Sequence, residues 1–172
     1  MEKVIELLNR MQAEGVIEKY AIGGGIAAIY YLEPYNTDDI DVFISPVVVR
    51  EGGLLSFGRI YSYLQALGYQ TEREYIRIEE WLVQFLPASE SVQEEAVAQP
   101  KRVKFAQAHT LIFSPEHLAA ELLRSGRPKD HSRVVALLES DQMEMKVFRD
   151  IIRRNDLDEK WRAFATRFNQ EV

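Results

Sequence analysis

The chain has 172 residues, 47% of them hydrophobic and 28% charged, and no cysteine. That is a soluble globular composition, large enough to bury a core unaided, and it excludes disulfides and thiolate metal sites while fitting a reducing, cytoplasmic setting. The net charge of −6 is uneven: residues 1–100 hold 7 basic and 16 acidic side chains, residues 101–172 hold 14 and 11, so the chain as a whole does not attract nucleic acid. The more basic C-terminal part reads first as a solvated helical surface and second as a surface for an anionic ligand. No apolar run approaches the roughly 18 residues of a membrane span, and the apolar residues of the N-terminus are spaced rather than continuous, unlike a signal peptide.

In chain order, Val4, Ile5, Leu8 and Met11 fall at helical spacing and predict an amphipathic first helix ending near Gly15. "KYAIGG" predicts a short buried strand running into a glycine turn, and "GIAAIYYLE" a helix ending before Pro34. "DIDVFIS" alternates charged and apolar residues and predicts a strand. Gly52 and Gly53 mark a loop, "LLSFGRIYSYLQALG" a helix stopped at Gly68, and "YIRIEEWLVQFLPAS" a hairpin closed by Pro87. A short helix over "SVQEEAVAQ" and a β-rich "RVKFAQAHTLIF" follow. Ser114 and Pro115 predict the N-cap and first position of the next helix, and the pattern stays helical to the end. The predicted fold is α/β (α+β): a small mixed sheet flanked by helices over residues 1–113, with a helical portion over 114–172 packed on it as one unit.

Two stretches carry chemistry. Asp39 and Asp41 stand at i and i+2 of a strand and project on one face, with Ile40 and Val42 directed to the core. Unpaired carboxylates that close repel, and a divalent cation removes the conflict; Mg²⁺ suits one or two carboxylates plus substrate phosphates. Asp38 points away. Gly23, Gly24 and Gly25 bring bare backbone N–H groups to a helix N-terminus, a place for phosphates. Together they predict Mg²⁺–nucleotide chemistry. The stretch is neither a P-loop nor a dinucleotide fingerprint, since G-K-[ST] is absent and "GGGIAA" does not fit G-x-G-x-x-G.

"AIGGGIAAIYYLEPYNTDDIDVFI" resembles the signature of the nucleotidyltransferase superfamily that includes DNA polymerase β: a glycine pair, a spacer, then an acidic-apolar-acidic triplet. "EPYNTDDIDVF", "LVQFLPAS" and "SPEHLAAELLRSGRPKDHSRVVALL" further resemble the bacterial branch of AbiEii-type abortive-infection toxins, and the likeness spans residues 18–139. The resemblance implies transfer of a nucleoside monophosphate from an NTP to RNA, protein or a small molecule, and an antitoxin partner. It implies Asp39 and Asp41 as metal ligands and catalytic carboxylates, and Gly23, Gly24 and Thr37 as nucleotide contacts. It also implies a third carboxylate on a neighbouring strand, acting as base or second-metal ligand. Gln84 aligns with that position, which leaves a catalytically degenerate nucleotide-binding module as the alternative. Glu80 shares strand parity with Gln84 but lies roughly 13 Å along the strand. Lys129 and Asp130 of the G-R-x-K-D turn have two readings: one of them enters the site, Lys129 as a catalytic cation, or both cap a helix starting near His131, with Asp130 as N-cap.

His109, His117 and His131 lack metal-ligand spacing and read as structural or surface residues. Trp81 and Trp161 read as packing anchors. Of Tyr30, Tyr31 and Tyr35 one could stack on a base, and at most one of the adjacent pair faces the core.

Overall fold

The computed structural model describes residues 1–32, 37–45, 50–51, 54–55, 57–105 and 107–170. The expectations that rest on Pro34, Tyr35, Gly52 and Gly53 lie outside the described residues.

The first helix, α1 (Glu2–Ala13), forms where its spacing predicts and buries Val4, Ile5, Leu7, Leu8 and Met11. The strand β1 (Tyr20–Ile22) is fully buried and leads within two residues into α2 (Gly24–Leu32). The acidic strand is β2 (Asp39–Ile44), with Ile40 and Val42 at 0% exposure. A two-stranded ribbon, β3 (Arg50–Glu51) and β4 (Leu54–Leu55), precedes α3 (Gly58–Ala66). The helix predicted from Leu54 therefore begins four residues later.

Then come β5 (Thr71–Glu72), β6 (Tyr75–Ile78), β7 (Trp81–Pro87), α4 (Ser91–Ala98), β8 (Lys101–Phe105) and β9 (Ala108–Ile112). The C-terminal helices are α5 (Pro115–Ser125), α6 (Pro128–Glu139), α7 (Met145–Arg154) and α8 (Asp158–Phe168). At the start of α5, Ser114 Oγ accepts from the His117 N–H and Pro115 stands at the first position, as predicted. At α6 the prediction is corrected. The helix starts at Pro128, with Arg127 as N-cap, so Asp130 is inside the first turn and caps nothing.

Seven strands form one mixed sheet in the order β5-β6-β7-β2-β1-β9-β8. β2 is central: it runs parallel to β7 on one side and antiparallel to β1 on the other. Its register against β7 pairs Asp39 with Leu82, Asp41 with Gln84 and Phe43 with Leu86. These six residues share one face, because strand side chains alternate. α5 packs against α2, α4, α6, α7 and α8 and so ties the helical portion to the sheet. One continuous core holds residues of both portions, from Val4 to Ala165. No helix among the described residues is long and apolar enough to cross a membrane.

Candidate functional site

The site is built where the head of α2 meets the middle of β2. Gly23 N–H donates to the Asp41 carbonyl at 2.9 Å, which fastens the turn to the strand. Gly24 has φ +53°, and a Cβ placed on it would stand 2.1 Å from Asp41 Oδ2. Only glycine meets both conditions: it adopts the left-handed backbone freely and leaves room for the carboxylate. A Cβ on Gly25 would stand 2.7 Å from Thr37 Oγ1, and one on Gly23 2.7 Å from the Phe43 ring. The glycine run therefore lets β2 and Thr37 close on the helix N-terminus, whose N–H groups and positive dipole end favour negative charge.

Asp39 and Asp41 are both half-buried on the same face of β2, and Asp38 is exposed, as expected. Thr37 Oγ1 donates to Asp39 Oδ1. Burial, and next the Asp39 charge, push the Asp41 carboxyl above its ordinary range; Arg127, Lys129 and Arg133 pull it back down. The Tyr75 phenol is raised as well, by burial first, then by Glu74, Asp39 and Asp41. Among the described residues neither aspartate forms an ion pair.

The basic residues come from the α5–α6 corner. Lys129 is exposed there and acts on Asp41 through its charge. Asp130 is at 0% exposure and organises the corner: its Oδ2 accepts from Arg127 Nε at 2.6 Å and Ser125 Oγ at 3.0 Å, and Arg133 Nη1 lies 3.5 Å from Oδ1. Both earlier readings of Asp130 give way to this one: it is a buried anchor for two arginines. Sequence reasoning missed Arg127 and Arg133. Their signal is the spacing R-x-x-D-x-x-R, which puts all three on one helix face.

A cleft of about 530 Å³ opens from Asp41 and Gln84 along Phe43 and Leu86 toward Glu121, Arg124 and Arg127. Gln84 is thus the neighbour of Asp41 on the adjoining strand and a wall of the same cleft. Glu80 is in the β6–β7 turn, its carboxylate 68% exposed and 3.8 Å from the Met1 ammonium, and does not enter the site.

The donors suit a two-carboxylate metal site and no more. Among the described residues no group of three His, Cys, Asp or Glu side chains could hold a metal. Asp39 and Asp41, like charges on one strand face with Asp41 raised by burial and by the Asp39 charge and closed on by Gly24, fit a Mg²⁺ that keeps waters and takes phosphate oxygens.

Two solved structures share this architecture. The crystal structure of an antigenic nucleotidyltransferase-like protein from Paracoccidioides brasiliensis superposes with a TM-score of 0.54 at 15% identity, over 94% of this chain and 92% of that one. The solution structure of the antibiotic-resistance factor ANT(2″)-Ia gives 0.50 at 16% identity, over 98% and 95%. The fold is that of nucleotidyltransferase-like proteins. No protein-family model and no curated protein matches the sequence. At these identities the likeness speaks for the fold, and the case for the site rests on its own residues.

Tyr31, Trp161, His117 and His131 are packing residues. Tyr31 is buried and donates from its hydroxyl to the Phe113 carbonyl at 2.8 Å, while Tyr30 is exposed. Trp161 stacks edge-on against Phe148 at 5.2 Å. His117 is buried with Nδ1 2.9 Å from Ser114 Oγ, and His131 packs against Phe164 and Phe168.

Proposed function

We propose that the chain is a Mg²⁺-dependent nucleotidyltransferase that moves a nucleoside monophosphate from an NTP to a hydroxylated acceptor. The observation that carries this is the Asp39–Asp41 pair, held on one strand face with Gly24 against Asp41, at the head of a cleft. Asp39 and Asp41 would hold the metal, which neutralises the pair and draws charge from the phosphates when bound. The Gly24 N–H, at the open head of α2, receives the triphosphate, while Gly23, whose own N–H is held by the Asp41 carbonyl, shapes the turn rather than donating to the nucleotide; Thr37 fixes the Asp39 carboxylate, and Lys129 supplies positive charge from the α6 side. The acceptor oxygen forms a bond to the α-phosphorus, the bond to the β-phosphate oxygen breaks, and pyrophosphate leaves. With Gln84 beside Asp41, the hydroxyl proton goes to water, so turnover is slow. The likeness to AbiEii-type toxins would add a bacterial cytoplasmic setting and an antitoxin partner.

The second reading is nucleotide binding without turnover, and Gln84 in register with Asp41 is the observation that favours it. Calorimetry with the four NTPs, with and without Mg²⁺, tests both readings, together with pyrophosphate release in the presence of candidate acceptors. Mg²⁺-dependent binding lost in Asp41→Asn is expected, and pyrophosphate release then selects the enzyme. Absence of any metal-dependent NTP binding sinks both.

A further inference from the structure

The cleft beyond Asp41 has a wall whose charges are already committed, and what they leave over selects a ligand. Glu121 accepts at Oε1 from Gln93 Nε2 (2.9 Å) and Arg124 Nη2 (2.9 Å), and at Oε2 from Arg124 Nε (2.7 Å). Its carboxylate therefore presents little unspent charge to the cleft. Glu90, at the rim, lies 3.7 Å from Arg124 Nη1. Asp130 is buried behind Arg127 and shared with Arg133. Apart from Asp41, the side chains with most spare capacity are the Arg127 guanidinium and the Gln84 amide, both of which can donate. Arg127 uses only Nε, its side chain is 54% exposed, and its two Nη groups make no hydrogen bond among the described residues. The Gln84 amide is unbonded among the described residues and stands on the floor beside Asp41.

We propose that this cleft binds the acceptor, and that the acceptor is a small hydroxylated molecule bearing a phosphate or carboxylate, with the acidic group on the Arg127 fork. The volume of about 530 Å³ falls within the ~300–1,000 Å³ of small-molecule sites. A guanidinium presents paired donors that match a carboxylate or phosphate. Among the described residues, a polycation finds no free carboxylate on the inner wall except Asp41, which would share the metal. The cleft extends on the Phe43 and Leu86 side of Asp41, and Gly23, Gly24, Thr37 and Lys129 are absent from its lining. Arg127 therefore serves the acceptor, and Lys129 and the glycine turn serve the nucleotide. This assignment rests on the nucleotidyl-transfer reading for the fate of the ligand and on the cleft alone for its binding.

The test is calorimetry on the full chain with ribose 5-phosphate, glucose 6-phosphate, 3-phosphoglycerate, ribose, spermine and a 5′-phosphorylated RNA oligonucleotide, without nucleotide or metal. At least one phosphorylated small molecule is expected to bind, ribose at least tenfold more weakly, and spermine not saturably. Arg127→Lys keeps a cation for Asp130 and loses the fork; it is expected to weaken the phosphorylated ligand at least fivefold with NTP affinity within twofold. Leu86→Trp fills the cleft from its floor and is expected to abolish binding in a protein of unchanged fold by circular dichroism. Failure of all three phosphorylated probes, tighter binding of spermine, binding of RNA alone, or indifference to both variants overturns the proposal. So does an equal loss of NTP affinity in Arg127→Lys, which would make Arg127 a nucleotide ligand. NTP binding without acceptor binding sinks this inference and leaves the transfer reading; acceptor binding without NTP binding does the reverse.

Discussion

Asp41 is where most of the physics of the site meets. It is flanked by a like charge at Asp39, closed on by Gly24, and paired across the ladder with an amide at Gln84. Its carboxyl is raised by burial and then by Asp39, so the folded state holds its proton to higher pH than the unfolded chain does. Stability from this group is therefore greatest below the ordinary value of 3.8 and falls as pH rises through the raised value. Asp41→Asn is expected to raise Tm of the metal-free protein at pH 7 and to lose that advantage below the ordinary value, as thermal melts across pH will show. Gly24→Ala meets both the left-handed backbone and the Asp41 oxygen, and should cost about 2–4 kcal/mol in denaturant titrations. It should also displace Asp41 and so remove metal-dependent NTP binding. Gln84→Asp adds a third carboxylate beside Asp41: without metal Tm should drop, and Mg²⁺ should restore more stability than it gives the wild type. Equal Mg²⁺ responses in the two proteins would place Gln84 outside the site.

At the scale of elements, the helices and the acidic strand were legible because their signals are local. The period of Val4, Ile5, Leu8 and Met11, the alternation around Ile40 and Val42, and the Ser114–Pro115 start each need only neighbouring residues. The same rule that places Pro115 at a first helical position applies to Pro128, yet Asp130 offers a competing cap three residues from Arg127; proline at the first position wins because it needs no N–H partner there. No local pattern gives the order of the sheet; the resemblance places the Gln84 strand beside the aspartate strand, as the β2–β7 pairing bears out, but the positions of β1, β9 and β8 were not legible. Nor was most of the cleft wall, which joins Gln84 and Gln93 to Glu121 and Arg127 from two separate stretches of the chain. One junction between elements carries its own prediction. His117 of α5 is buried 3.6 Å from Glu95 of α4, which Arg154 and Asn155 at the end of α7 also hold. Burial lowers the imidazole below 6.5, and Glu95 opposes that only in part. The folded state thus binds fewer protons than the unfolded one between the lowered value and 6.5, so this contribution to stability is present above 6.5 and is lost as pH falls. His117→Gln should flatten the dependence of Tm on pH just below 6.5, and an unchanged slope would move its source elsewhere.

Across the whole molecule, the boundary at residues 113 and 114 marks a change of composition and secondary structure, and the packing crosses it. α5 lies directly after β9, covers α2 and α4, and on its other sides carries α6, α7 and α8. Ala119, Ala120 and Leu118 at 0% exposure belong to the same core as Ile22 and Ala28. The ion pair of Arg154 with Glu95 and the contact of Lys160 with the Arg124 carbonyl tighten the outer helices onto that hub. Removing the helical portion would expose the apolar face of α2, which at about 25 cal/mol per Å² is more than a marginal fold tolerates. The two portions should therefore unfold together, and the chain carries a reporter in each: Trp81 at the start of β7 and Trp161 in the core of α8. Trp81→Phe leaves emission from the helical portion alone, and Trp161→Phe leaves emission from the sheet alone. Each variant in a urea titration should give one sigmoidal transition whose midpoint matches its own far-ultraviolet circular dichroism, as all-or-none unfolding requires. An earlier fluorescence midpoint for Trp161 than for the backbone signal would show instead that the C-terminal helices detach first, and the cleft between Gln84 and Arg127 would then open before the sheet melts.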